Sequence, residues 1–227
     1  MTDYVIAPQP QAAVPVSGGG RFPVRRIFCV GRNYADHQKE MGHDGREQPV
    51  FFTKPADTLV IDNGPTPYPP QTSNYHFEIE LVVAIGTGGS DIAVDDALNH
   101  VFGYGVGLDM TRRDLQAEAK KGGKPWDMAK GFDFSAPVSH LVPAASVGHP
   151  DRGAVRLRVN GIEKQRGDLS EQIYSVSETI AELSRFVMLK AGDLIMTGTP
   201  AGVGAVLRGD VLEGEIDGIA SLRTIIV

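Results

Sequence analysis

The sequence predicts an α+β fold: a β-rich body with a few short helices at its periphery. Three observations point there. The chain has 227 residues with 27 glycines and 15 prolines, above ordinary usage, so turns are frequent and a helical bundle is disfavoured. Short apolar segments bounded by turn residues recur at 26–30, 51–54, 58–61, 79–85 and 155–165. Helical signals are confined to a few stretches, clearest at 175–189.

Taken in order, residues 1–24 contain Gly18-Gly19-Gly20 and several prolines, and read as a loose N-terminal arm; residues 25–227 form a single catalytic-size domain. Arg26-Ile-Phe-Cys-Val30 is the first buried strand. A short helix is expected over 34–41, stopped by Gly42. Residues 51–54 and 58–61 read as strands split by Pro55, and a proline-rich loop (65–70) leads to the strand N-Y-H-F-E-I-E-L-V-V-A-I-G at 74–86. Residues 91–101 suggest a modest helix. Thr111 and Asp114 have capping-box spacing ahead of a helix to Lys121, with Gly122-Gly123 as its stop. Asn160-Gly161 between 155–159 and 162–165 predicts a hairpin with a type I′ turn. Ser175 and Glu178 open the strongest helix with a capping box, and Val176, Ile180, Leu183 and Val187 line its apolar stripe.

Composition narrows the function. A net charge of −6 argues against nucleic acid as a partner. One cysteine, Cys29, rules out an internal disulfide and fits a reducing compartment. The N-terminus lacks a signal-peptide pattern and no run reaches 18 apolar residues, so the expectation is a cytoplasmic protein without a membrane partner.

The chemistry starts at 74–86. Alternation puts Tyr75, Phe77, Ile79 and Leu81 on one strand face and His76, Glu78 and Glu80 on the other. Two anions on one face repel unless something holds them. Gly103-Tyr-Gly-Val-Gly-Leu-Asp109 supplies a third carboxylate at the end of a strand whose alternate glycines admit a close neighbour. Three carboxylates suit a hard cation, Mg²⁺ or Mn²⁺; the same residues also read as a solvated edge strand followed by a helix. His37 and Glu40 stand three apart, on one face if helical, where a carboxylate would orient an imidazole as a general base; a surface pair has the same spacing. Lys130 lies among apolar and small residues, so inward-facing it would bind an anion, and Arg113 and Gln116 share a helical face. Lys120, Lys121 and Lys124 read as a solvated turn. T-G-T-P-A-G-V-G (197–204) lacks the lysine and spacing of a phosphate loop and reads as a tight turn whose N–H groups or threonine hydroxyl touch a carboxylate.

Four ordered motifs resemble the fumarylacetoacetate hydrolase family: V-G-R-N-Y-x-x-H-x-x-E-M (30–41), H-x-E-I-E-L (76–81), G-L-D-M-T-x-R-D (107–114) and T-G-T-P-x-G-V-G (197–204). The resemblance runs from about residue 25 to the end and is strongest to the acylpyruvate and fumarylpyruvate hydrolases. It implies a rolled mixed β-sheet, usually in a homodimer, and a metal held by Glu78, Glu80 and Asp109. It further implies catalytic roles for His37, Glu40 and Lys130, and substrate contacts from Arg32, Tyr34, Arg113, Gln116 and Thr199. The implied activity is hydrolysis of a carbon–carbon bond in a small anionic oxo-acid, fumarylpyruvate giving fumarate and pyruvate. Alternatives on one scaffold are oxaloacetate decarboxylation, hydroxymuconate-type isomerisation and non-catalytic oxo-acid binding. Residues 42–49 suggest a lid closing over the site.

Overall fold

Every residue of the strand Ile79–Ile85 is buried, because it is an interior strand of a sheet covered on both faces. The computed structural model describes residues 4–35, 46 and 48–227. Its main sheet has six strands in the order Val142–Pro143, Val101–Leu108, Ile79–Ile85, Asp193–Met196, Arg26–Gly31, Val50–Lys54. Neighbours are antiparallel except Asp193–Met196 and Arg26–Gly31, which run parallel. A second, antiparallel sheet of four strands joins Ile162–Asp168, Ala154–Val159, Val211–Ile216 and Ala220–Ile225.

Strand alternation sorts the core. Ile79, Leu81, Val83 and Ile85 pack with Val155, Leu157, Leu212 and Leu222 of the second sheet and with Ile180 and Leu183 of the helix Val176–Phe186. Val82 and Ala84 turn to the opposite face, against Ile27, Cys29, Leu194 and Met196. A strand with apolar neighbours on both sides reads as the continuous apolar run seen here. Glu80 lies on the even-numbered face, at the end of the strand where that run begins.

The alternate glycines of Val101–Leu108 admit the close neighbours that their spacing suggested. A Cβ at Gly103 would sit 2.3 Å from the Val142 carbonyl oxygen, and one at Gly107 would sit 2.7 Å from both Met196 Cε and Val82 Cγ2. The 160–161 turn has Asn160 and Gly161 at φ 52° and 77°, as a type I′ hairpin requires. Ser175 and Glu178 form the expected capping box.

Several local expectations change. The 91–101 segment is a 3₁₀ helix, Val94–His100, in which Asn99 donates to Asp96 Oδ1 at 2.8 Å; such local side-chain bonds compete with a regular helix. Thr111 does not cap the next helix. It belongs to the strand Thr111–Arg112 paired with Tyr75–Phe77, while Asp114 accepts from Thr72 Oγ1 at 2.6 Å and from the Ser73 N–H at 2.9 Å. The helix Arg113–Gly122 thus starts without a side-chain cap and ends at Gly123, φ 60°. The last helix stops at Phe186, short of 189, because Val187 is extended and Leu189 is bridged to Gly89. In 58–61 only Leu59–Val60 is a strand, parallel to Ala136–Pro137. The arm is tighter than its composition suggested: Ala13–Pro15 and Arg21–Pro23 pair as a hairpin that buries Val14 and Phe22 in the second core cluster. The expected 34–41 helix and the 42–49 lid fall mostly outside the described residues. Among the described residues no helix is long and apolar enough to cross a membrane.

Candidate metal centre and cavity

Register brings the three carboxylates together. Ile79 pairs with Leu108 and Glu80 with Gly107, so Glu78 and Asp109 meet at the strand ends, where the Asp109 N–H donates to the Glu78 carbonyl at 2.8 Å. One oxygen from each of Glu78, Glu80 and Asp109 lies within 4.8 Å of the others, and all three residues are buried. Two lysines and an arginine surround them. Lys130 Nζ donates to Asp109 Oδ2 at 2.6 Å and to Glu78 Oε2 at 2.8 Å. Lys54 Nζ lies 2.9 Å from Asp109 Oδ1 and donates to the carbonyls of Met110 and Lys130. Arg113 Nη2 donates to Glu78 Oε1, and its Nη1 donates to Gln116 Oε1 at 2.6 Å.

The 197–204 turn reaches the same cluster. Gly198, at φ +96° with no room for a Cβ against Asn33, donates its N–H to Glu80 Oε2 at 2.7 Å. The carboxylate touched by this turn is therefore one of the chain's own. Thr199 Oγ1 accepts from buried Gln165, whose other amide atom, Oε1, accepts the Ile79 N–H at 3.0 Å, so one glutamine ties the turn to the acidic strand. Asn33 clamps the 30–34 segment in place by donating to the carbonyls of Tyr174 and Thr197.

Electrostatics set the charge states. Burial, then the neighbouring Asp109 and Glu78, pushes the Glu80 carboxyl well above its ordinary range. Burial works against the Lys130 ammonium, but Asp109 and Glu78 outweigh it and hold the proton more tightly than usual. His76 is pushed down to about 4 by burial and then by Arg113. Its ring is neutral near pH 7, with Nε2 facing Asn74 Oδ1 at 2.7 Å and Nδ1 accepting from Arg113 Nε at 3.4 Å. Burial raises the Cys29 thiol, so no thiolate competes as a ligand.

This donor set fits a hard dication. It offers carboxylate oxygens only, and Asp109 Oδ1, though ion-paired with Lys54, accepts no directed hydrogen bond. A positive ion between the three would also reverse the preference of Glu80 for its protonated form.

Beside the triad a cavity of about 30 Å³ is lined by Arg32, Arg113, Gln116, Lys120, Lys130 and Thr199 with Phe52 and Trp126. A cleft of about 440 Å³ adjoins it and shares Phe52, Trp126 and Lys130. Arg32 has a left-handed backbone, φ 65°, unusual for a residue with a Cβ. Of the residues expected to contact substrate, Arg32, Arg113, Gln116 and Thr199 line the cavity. Tyr34 does not: it is buried and bridged to Gln172, with burial raising its phenol out of reach of neutral pH. His37 and Glu40 lie outside the described residues. Sequence reasoning missed Lys54 and Gln165, whose only signal was a polar residue at the end of one strand and within another, and took Lys120 for a solvated lysine.

Three buried carboxylates, paired with lysine and arginine on an α+β scaffold, form a centre that could hold a divalent metal. The chain belongs to the fumarylacetoacetate hydrolase family: the family model described as "Fumarylacetoacetate (FAA) hydrolase C-terminal" matches residues 26–227. It is 47% identical over 176 residues to a fumarylpyruvate hydrolase of Ralstonia sp, covering 78% of this chain and 91% of that protein. It is 44% identical over 199 residues to the mitochondrial oxaloacetate tautomerase FAHD1 of Rattus norvegicus, covering 88% and 90%. Among solved structures, fumarylpyruvate hydrolase from Pseudomonas aeruginosa in complex with Mn²⁺ and pyruvate superposes with a TM-score of 0.97 at 51% identity, covering 99% of each chain. These likenesses support a metal-binding enzyme.

Proposed function

We propose that the protein hydrolyses the carbon–carbon bond of an acylpyruvate, fumarylpyruvate first, with Mg²⁺ or Mn²⁺ held by Glu78, Glu80 and Asp109. The observation that carries this reading is the triad itself, buried and opening on a cavity rich in cations. The likeness over nearly the whole chain to a fumarylpyruvate hydrolase supports the choice of substrate.

When bound, the dication supplies Lewis-acid stabilisation of the negative charge that develops as the bond breaks. The chain supplies the rest. Arg113, Gln116 and Thr199 line the cavity and would bind an oxo-acid carboxylate there. On this reading His37 would take a proton from water, with Glu40 to orient it, and the hydroxide would add to the acyl carbonyl carbon. Lys130, buried and protonated, donates to Glu78 and Asp109 and would offer its third N–H to the oxygen on which charge accumulates. The carbon–carbon bond then breaks with its electron pair on the pyruvate fragment, which regains a proton as the fumaryl fragment leaves as fumarate. One water is consumed. Under this reading the chain works in the cytoplasm as a homodimer, for which sedimentation gives the direct check.

A second reading, oxaloacetate tautomerisation, is favoured by the relatives of that name. It moves a proton between carbon and oxygen and needs no attacking water. A spectrophotometric panel of fumarylpyruvate, acetylpyruvate and oxaloacetate, with Mg²⁺ or Mn²⁺, separates the two. Rapid loss of the fumarylpyruvate chromophore with stoichiometric fumarate is expected. Enol-to-keto conversion of oxaloacetate without cleavage of either acylpyruvate would overturn the hydrolase reading.

A further inference from the structure

The cations around the cavity differ in what already occupies them. Arg113 is engaged by Glu78, Gln116 and His76, Lys130 by Glu78 and Asp109, and Lys54 by Asp109 and two backbone carbonyls. Lys120 is the exception. It is half-buried in the cavity lining, its ammonium lies 5.3 Å from the centroid of the Trp126 ring, and among the described residues it makes no hydrogen bond or ion pair. An aromatic face holds an ammonium in place without using up its N–H donors.

Position fits this vacancy to a ligand group. Glu78, Glu80, Asp109 and Lys130 form the buried wall of the cavity, whereas Lys120, Arg32 and Trp126 are only partly buried and form its solvent-ward side. Trp126 also lines the adjoining cleft, so Lys120 stands where a chain leaving the metal wall would pass. Charge points the same way. Lys54, Lys130 and Arg113 already balance the three carboxylates, so a dication adds two positive charges, and Lys120 adds one more. A substrate with one carboxylate leaves most of that charge unanswered, and a dicarboxylate answers more of it.

We infer that Lys120 is a specificity-determining residue, binding the carboxylate at the far end of the acyl chain and selecting oxo-diacids over oxo-monoacids. This rests on the acylpyruvate reading and narrows it to substrates with a carboxylate at each end. Lys120 was read from the sequence as solvated because its turn, K-K-G-G-K-P, is polar and glycine-rich; it is the helix Arg113–Gly122, packed beside Trp126, that turns this lysine to the cavity.

The test compares kcat/KM for fumarylpyruvate and acetylpyruvate in wild type, Lys120→Met, Lys120→Arg and Lys124→Met, because Lys124 lines the adjoining cleft. Losing one charge-assisted contact should lower the fumarylpyruvate-to-acetylpyruvate ratio by about 10–100-fold in Lys120→Met, chiefly through KM. Lys120→Arg should keep the ratio within about 3-fold, since it keeps the charge. An unchanged ratio in Lys120→Met, an equal collapse in Lys120→Arg, or a collapse in Lys124→Met instead overturns the assignment. Binding decides independently of turnover: Mn²⁺-loaded protein is titrated with fumarate and with crotonate, its monocarboxylate counterpart. Lys120→Met should weaken fumarate and erase its advantage over crotonate. If wild type cleaves neither acylpyruvate, the hydrolase reading fails, and this titration still upholds or rejects Lys120.

Discussion

Lys130 Nζ lies 2.6 Å from Asp109 Oδ2 and 2.8 Å from Glu78 Oε2, so one buried ammonium bridges two carboxylates of the candidate metal centre. It contributes charge without competing as a ligand. Lys130→Met should lower kcat by about 10²–10³-fold, as loss of an oxyanion-stabilising donor does. Mn²⁺ affinity should hold or tighten, because a positive charge beside two ligands is gone. Isothermal titration with Mn²⁺ alongside steady-state kinetics reads both, and a matching fall in metal affinity would make Lys130 a holder of the ligands instead.

Among the described residues Glu80 accepts a hydrogen bond only from the Gly198 N–H, and burial, then Asp109 and Glu78, outweigh that bond and the Lys130 charge in disfavouring its anion. Glu80→Ala should weaken Mn²⁺ by about 100-fold or more, beyond the ~10–100-fold typical of residues that only support ligands. Activity should vanish with it, and excess EDTA should do the same to wild type. Full turnover in EDTA would remove the metal from the account.

On the proposed hydrolysis, His37 is the residue whose loss would separate hydrolysis from tautomerisation. His37→Ala should slow fumarylpyruvate cleavage by about 10²–10⁴-fold. An unchanged cleavage rate would take His37 out of the mechanism, and oxaloacetate tautomerisation measured on the same variant shows whether the two reactions share it.

Lys120 faces Arg113, Arg32, Glu78 and Lys130, and burial followed by Arg113 and Arg32 pushes its ammonium down to about 8. Below that pH it is charged and binds an anion; above it the charge is lost. KM for fumarylpyruvate should therefore rise as pH increases through about 8, with a smaller change for acetylpyruvate. Parallel profiles for the two substrates would remove Lys120 as the titrating group.

Gly103 sets the position of Asp109 from a distance, because its strand delivers the aspartate. A Cβ there would meet backbone, the Val142 carbonyl oxygen at 2.3 Å, which cannot swing aside as a side chain can. Gly103→Ala should destabilise the fold by about 1–3 kcal/mol, the ordinary cost of overpacking. Urea titration checks it, and a neutral result would mean that the Val142–Pro143 strand yields to the added methyl group.

Much of this was legible beforehand because it is local or periodic. The Glu78–Glu80 spacing follows from the two-residue repeat of a strand, the Asn160-Gly161 turn from backbone sterics, and the Ser175 cap from unsatisfied helix N–H groups. Thr111 shows where local reasoning fails: its spacing to Asp114 is that of a cap, yet strand pairing with Tyr75–Phe77 takes Thr111, and Thr72 and Ser73 take the Asp114 carboxylate. Long-range partners outbid a cap contributing about 1 kcal/mol. Lys54 was invisible for a similar reason, being one lysine at the end of a strand until the sheet delivers it to Asp109.

The sequence by itself determined the kinds of group present and their spacing along each element: two glutamates on one strand face, an aspartate closing a glycine-alternating strand, and a lysine among apolar neighbours. It determined these because side-chain direction within a strand or helix follows from short-range geometry. Only the tertiary structure decided that Glu78 stands opposite Asp109, that Lys54 and Lys130 supply the balancing charge, and that Lys120 turns toward the cavity while Tyr34 does not. Those outcomes depend on register and packing between segments far apart in the chain, where the free energy of burying apolar faces, not any local preference, selects which charges meet.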